Sequence, residues 1–141
     1  MAHDLDEARA LLRRVFGHND FRGLQADVIS EVLAGRDALA VLPTGGGKSV
    51  CYQIPAMMRE GVGLVVSPLI ALMQDQVAAL RSAGVAAARL DSSLPAAERA
   101  EALAAAREGK LDLLYVSPEG LAAGLAERIG DAPVALIAID E

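Results

Sequence analysis

Leu42-Pro43-Thr44-Gly45-Gly46-Gly47-Lys48-Ser49 stands between an apolar run, Ala38-Leu39-Ala40-Val41-Leu42, and a stretch of helix-forming residues that begins at Lys48. The apolar run reads as a buried strand over 38–42, so the glycines fall where a strand hands over to a helix. Side chains there would keep an anion away from the main chain. Gly45, Gly46 and Gly47 instead let backbone N–H groups ring a phosphate, and the helix N-terminus adds its partial positive charge. In this reading Leu42, Pro43 and Thr44 lead into the cradle and Lys48 reaches the β and γ phosphates of a nucleoside triphosphate. The Ser49 hydroxyl is placed to ligate a magnesium ion bridging them. The general pattern asks for a glycine where Leu42 stands, so the match is to Gly-Lys-Ser with its preceding glycines. A glycine-rich turn that binds nothing is the competing reading.

A second chemical site lies at the end of the chain. Val134-Ala135-Leu136-Ile137-Ala138-Ile139 is an apolar, β-branched strand that closes on the carboxylates Asp140 and Glu141. Ligands of open α/β sheets bind at that edge. A carboxylate there can hold the magnesium ion of a nucleotide, which gives Asp140 the metal role, and a second can deprotonate the attacking water, which gives Glu141 the general-base role. Two solvated acids closing a strand is the alternative.

Strands and helices alternate through the rest. Asp4 reads as the cap of a first helix, with Glu7 completing a capping box and Leu5, Ala8, Leu12 and Val15 at helical spacing until Gly17. A second helix is expected over about 24–34, followed by Gly35. After the loop come a helix from 48 to about 58 bent by Pro55, a strand over 63–66, and a helix over 69–83 with Leu69, Leu72, Met73, Val77 and Leu80 on its core face. A strand over 86–90 follows, then a helix with Pro95 in its first turn, a strand over 111–116 and one helix over 118–129. Crossovers of this length force parallel pairing. The fold class is therefore α/β, a parallel sheet flanked by helices.

Composition is consistent with this and excludes other classes. The 141 residues suffice for one core, and 53% hydrophobic residues with only 3% aromatic make that core aliphatic. No apolar run approaches the ~18 residues that span a bilayer, and the first residues lack the pattern of a secretory signal, so no membrane and a cytoplasmic location are expected. Cys51, the one cysteine, excludes an internal disulfide and reads as a small core residue. A net charge of −6 excludes nucleic-acid binding by bulk electrostatics; any such contact must be local or supplied by another part of the protein.

Four segments in order resemble the RecQ-type ATP-dependent DNA helicases of superfamily 2. They are Phe16 through Gln25, similar to that family's adenine-recognition segment; Leu42 through Pro55; Val66-Ser67-Pro68-Leu69-Ile70-Ala71-Leu72-Met73-Gln74-Asp75-Gln76-Val77; and Asp140-Glu141, similar to the start of an Asp-Glu-Ala-His box. Phosphate loops of superfamily 2 do not require the first glycine, which accounts for Leu42. The resemblance implies a P-loop, RecA-like first helicase lobe over 36–141, truncated at its Walker B strand, preceded by N-terminal helices over 1–35. It implies that Gln25 bonds the adenine edge and that Arg22 lies against the base. His18 stands where the family often has a stacking tyrosine. The resemblance also implies single-stranded DNA contacts at Ser67, Pro68, Leu69, Gln74 and Gln76. Asp91-Ser92-Ser93, with Ser92 and Ser93 as contacts, and Tyr115 through Glu119 are similar to further motifs on the DNA side. Gly120 stands where the family commonly has arginine.

What the resemblance implies for the whole protein is ATP-dependent unwinding of single-stranded or forked DNA in repair and recombination, with ATP and Mg2+ as cofactors. Localisation would be cytoplasmic, or nucleoid-associated in a bacterium. A second helicase lobe with an arginine finger, and a zinc-binding region, belong to parts of the family's chain absent here, so this portion alone is expected to turn over ATP very slowly. A nucleotide-binding half-lobe without turnover, an RNA helicase of the same superfamily and a small-molecule kinase remain as alternatives.

Overall fold

Leu5, Leu12 and Ile29 owe their burial to helical spacing. In the computed structural model, which describes residues 2–43 and 47–140, they fall within the first of two compact units, Met1–Arg59 and Glu60–Glu141. The first unit is helical: α1 (Ala2–Phe16), α2 (Gln25–Leu33) and α3 (Val50–Met58). Ala8 and Leu12 from α1, Ile29 from α2, and Val50 and Ile54 from α3 form its buried centre, with Leu5, Phe16, Phe21 and Leu33 packed around them. Gly17 ends α1 in the left-handed region at φ 71, and the N–H groups of Gly17 and His18 close on the Arg13 and Leu12 carbonyls. Gly35 ends α2 in the same way at φ 82.

Three expectations for this unit are corrected. Helix α1 begins at Ala2, so Asp4 is an acid in the first turn and not its cap; alanine favours the helix and nothing before Asp4 diverts the chain. Residues 38–42 form no strand, and Leu39 and Val41 are 95% and 86% exposed. An extended segment becomes a strand only when a neighbour takes up its N–H and C=O groups, and apolar sequence cannot supply that neighbour. Helix α3 starts at Val50, two residues later than the reading from Lys48, with Pro55 inside it as expected.

The second unit comprises β1 (Val62–Val66), α4 (Ile70–Ser82), β2 (Ala87–Leu90), α5 (Ala96–Arg107), β3 (Leu113–Val116), α6 (Pro118–Ala122), α7 (Leu125–Ile129) and β4 (Val134–Ile139). Its four strands lie in the order β2-β3-β1-β4, and every pairing is parallel. β1 and β3 are buried along their whole length, as central strands of a sheet covered on both faces should be. Leu64, Val66, Leu90, Leu114 and Val116 share one face and pack with Ala102 and Ala106 of α5 and Leu125 and Ile129 of α7. Helix α4 packs against β2 and buries Met73, Val77 and Leu80.

Leu69 departs from its expected core position. It precedes α4 in an extended conformation and is 51% exposed, because the helix starts only at Ile70. The single helix expected over 118–129 is two, divided by Gly124 at φ 91, a left-handed residue that interrupts the helical ladder. Pro95 caps α5 from outside its first turn, with ψ 151. Among the described residues no helix is long and apolar enough to cross a membrane.

Candidate functional site

In the first unit the decisive side chain is Gln25, the first residue of α2 and only 4% exposed. Its Oε1 accepts the Arg22 N–H at 2.8 Å, while its Nε2 donates to the Gly47 carbonyl at 2.9 Å. An amide, which both donates and accepts, suits these two partners. The first residue of α2 is thereby tied to the loop that leads into α3. Gly47 is at φ 71, and a Cβ there would stand 2.5 Å from Gln25 Nε2 and 3.5 Å from Arg22 Nη2. Any larger residue would have to push the Gln25 amide aside and adopt a left-handed backbone.

Lys48 and Ser49 follow, both half-buried, where the chain enters α3. The Ser49 carbonyl accepts the N–H groups of Tyr52 and Gln53, but its hydroxyl makes no capping bond to the helix. The Lys48 carbonyl likewise accepts the Cys51 N–H, so the N–H groups of Cys51 to Gln53 are taken up within the turn, and a helix N-terminus here would meet an anion through the main chain ahead of them. Leu42 is half-buried and Pro43 exposed; His18 and Arg22 are exposed. Thr44, Gly45, Gly46 and Glu141 lie outside the described residues. Cys51 is buried in α3, and burial pushes its thiol up from the ordinary cysteine value, in keeping with a core role.

In the second unit, parallel register aligns the C-terminal ends of all four strands. Leu90 pairs with Val116, Val116 with Val66, and Val66 with Ile139. The residue after each strand is polar and buried: Asp91, Ser117, Ser67 and Asp140 are 5%, 7%, 2% and 7% exposed. Main-chain bonds extend the ladder through three of them, from Ser117 N–H to Leu90, Ser67 N–H to Val116 and Asp140 N–H to Val66. Each of the first three then organises the loop that follows it. Ser67 Oγ accepts the Leu69 N–H, Ser117 Oγ accepts the Gly120 N–H, and Asp91 Oδ1 accepts the Ser93 N–H. The result is a row of ordered turns along the sheet edge where open α/β folds bind ligands.

Of the expected contacts, Ser67, Pro68, Leu69, Ser92 and Ser93 belong to this row, and Pro68, Leu69, Ser92 and Ser93 are exposed beside it. Gln74 and Gln76 sit farther along α4, two residues apart and so on different sides of the helix, the first exposed and the second half-buried. Ser117, Asp91 and Arg89 carry more of the geometry than their sequence suggests. Burial alone would raise the Asp91 carboxyl, but hydrogen bonds from Ser93 and Arg89 outweigh it and hold the group below its ordinary value. The available signal was positional: a polar residue directly after an apolar strand, twice followed by proline.

Comparison with known proteins places the sequence among helicases. The chain is 53% identical over 117 residues to the ATP-dependent DNA helicase RecQ of Synechocystis sp., an alignment covering 83% of this chain and 24% of that protein. It is 46% identical over 139 residues to the ATP-dependent DNA helicase RecQ of Bacillus subtilis, covering 97% and 24%. With the protein of the same name from Haemophilus influenzae it shares 45% over 135 residues, covering 95% and 22%. The chain thus spans about a quarter of the length of these curated relatives. Residues 22–141 match the pattern of the DEAD/DEAH box helicases, and the chain belongs to that family.

Proposed function

We propose that this chain is the ATP-binding part of a RecQ-type DNA helicase, a RecA-like lobe over 36–141 with the helical adenine-recognition segment over 1–35 ahead of it. The whole protein would couple ATP hydrolysis to unwinding of single-stranded or forked DNA in repair and recombination, in the cytoplasm or on a bacterial nucleoid. The observation that carries the reading is the buried Gln25 amide bonded to both Arg22 and Gly47, an adenine-side residue joined to a phosphate loop. Proteins named as DNA helicases share 45% to 53% of its residues over most of its length.

In this reading Gln25 and Arg22 take the base, the backbone from Leu42 to Gly47 surrounds the phosphates, and Lys48 neutralises the β and γ groups. The Ser49 hydroxyl, which makes no capping bond, and separately the Asp140 carboxylate of the second unit would each offer magnesium a hard oxygen donor. When bound, the ion neutralises charge on the phosphate oxygens during transfer. Glu141 takes the proton of the attacking water. The turns after β1, β2 and β3 offer hydroxyl and N–H donors to a nucleic-acid backbone without a basic patch, in keeping with the net charge of −6.

The test uses the full-length gene product. ATP turnover should rise many-fold with single-stranded DNA and less with RNA, and Glu141→Gln should bind ATP yet turn over at least a hundredfold more slowly. Turnover indifferent to DNA, or unchanged by Glu141→Gln, removes the helicase assignment.

A further inference from the structure

The turn after β2 contains two adjacent serines that the structure treats differently. Arg89, the third residue of β2, sends Nη1 to Asp91 Oδ2 at 2.6 Å and to Ser93 Oγ at 3.0 Å. Ser93 donates both its N–H, at 2.8 Å, and its hydroxyl proton to Asp91 Oδ1. The Asp91 side chain is fully enclosed, and Arg89 retains 21% exposure. The Ser93 hydroxyl is therefore occupied as donor and as acceptor inside the turn. Ser92, between the two clamped residues, is exposed like Ser93, but its hydroxyl has no partner among the described residues.

Arg89 also changes the charge of this place. A carboxylate directly behind an exposed hydroxyl repels any phosphate that approaches, because the separation is well inside the ~8 Å screening length of physiological salt. A guanidinium paired to that carboxylate removes the repulsion and leaves the hydroxyl and local N–H groups as the groups that a phosphate meets.

We propose that Arg89 is a positioning residue for single-stranded DNA: paired with Asp91, it occupies the Ser93 hydroxyl, cancels the carboxylate charge and presents Ser92 as the phosphate-binding hydroxyl at the end of β2. The proposal rests on the helicase reading above and deepens it, since it separates the roles of two serines that the sequence offers as equals. Arg89 touches no substrate; it acts through the turn.

The experiment measures, in the full-length protein, the concentration of a labelled oligothymidylate that half-saturates binding and the concentration that half-maximally stimulates ATP turnover. Arg89→Met and Ser92→Ala should each raise both concentrations about tenfold, the loss of roughly one charge-assisted hydrogen bond. Arg89→Met should leave KM for ATP and the turnover at saturating DNA as they were, a split that general damage to the fold would not produce. Arg89→Lys should recover most of the loss, and the double variant should be little worse than either single one, because both act on one contact. Additive effects in the double variant, or wild-type affinity in Arg89→Met, overturn the proposal. Should Arg89→Met fail to fold, Ser92→Ala decides alone, and unchanged half-saturation refutes the role. A wild-type protein that binds no oligothymidylate overturns the helicase reading and this inference with it. Normal wild-type binding that none of the variants alters overturns the inference and leaves the reading standing.

Discussion

Gln25 Nε2 donates to the carbonyl of Gly47 at 2.9 Å, joining residues 22 apart in sequence. The bond makes the start of α2 and the loop before α3 one piece of structure. Replacing Gln25 with alanine removes that donor and the acceptor for the Arg22 N–H, leaving two partly buried polar groups of the main chain without these partners. Such a loss costs about 1–3 kcal/mol. Gln25→Ala should weaken nucleotide binding by about tenfold or more and lower the melting temperature, both read with a fluorescent ATP analogue and a thermal scan. Gln25→Glu keeps the acceptor for Arg22 but sets an oxygen against the Gly47 carbonyl. It should therefore bind nucleotide no better than the alanine variant, and wild-type affinity in either would show that the bond does not shape the loop.

Gly47 and Gly35 separate backbone strain from lost space. Both have positive φ, 71 and 82, but a Cβ at Gly35 meets nothing within 4 Å, whereas at Gly47 it stands 2.5 Å from Gln25 Nε2. An L-residue held in the left-handed region costs about 1–2 kcal/mol by itself. Gly35→Ala should lower stability by about that amount and leave nucleotide affinity alone. Gly47→Ala should displace Gln25 as well, and titration with an ATP analogue should show binding reduced by about two orders of magnitude. Equal affinities for the two variants would refute the close fit.

Much of the fold was legible in the sequence because its parts obey local rules. β4 runs over Val134–Ile139 as its β-branched run indicates, and Gly17, Gly35 and Gly84 end helices where the periodicity stops. Ser67-Pro68 and Ser117-Pro118 each follow an apolar strand in the sequence, and the two strands are neighbours in space: β1 pairs with β3, and Ser67 N–H bonds Val116. What local rules could not supply was pairing. Leu39 and Val41 are as apolar as a buried strand, but a strand is defined by a partner, and residues 38–42 have none among the described residues. The division of 118–129 turned on one dihedral, that of Gly124, and an isolated glycine in a helical pattern does not reveal its φ. The Arg89–Asp91–Ser93 cluster was hidden for a related reason: a charge two residues from another on a strand looks like a solvated surface until burial shows otherwise.

Gly61 marks where the main chain entering β1 meets the start of β4. At φ 103, a Cβ there would lie 2.5 Å from the Pro133 carbonyl oxygen and 3.0 Å from the Ala135 nitrogen, both of them backbone atoms that cannot swing aside. The same Pro133 oxygen accepts the Val62 N–H at 3.0 Å, so retreat would break the first bond between the two strands. Strain and overpacking together should make Gly61→Ala destabilising by about 3 kcal/mol or more. Gly109→Ala, at φ 72 with nothing nearby, should lose only about 1–2 kcal/mol. Urea unfolding of the two variants reads the difference directly, and similar midpoints would count against the contact.

Asp91 should give the second unit a measurable acid dependence. Burial raises its carboxyl, but the bonds from Ser93 and Arg89 prevail and hold it below the ordinary carboxylate value. A carboxylate whose proton affinity is lower in the folded state stabilises that state above its unfolded value, near ~3.9, and ceases to do so as pH falls through its folded value. Asp91→Asn keeps an oxygen for Ser93 but loses the charge that faces Arg89. At neutral pH it should be less stable by about 2 kcal/mol. The gap between variant and wild type should stay constant from pH 7 to about pH 5 and narrow below about pH 4, measured by urea unfolding at each pH. Asp20, Glu31 and Glu108 also titrate low, through their own partners Phe21, Arg36 and Lys110, but they are common to both proteins and cancel in the difference. A gap that widens toward acid would mean that Asp91 is already protonated in the folded state, which would contradict its pairing with Arg89.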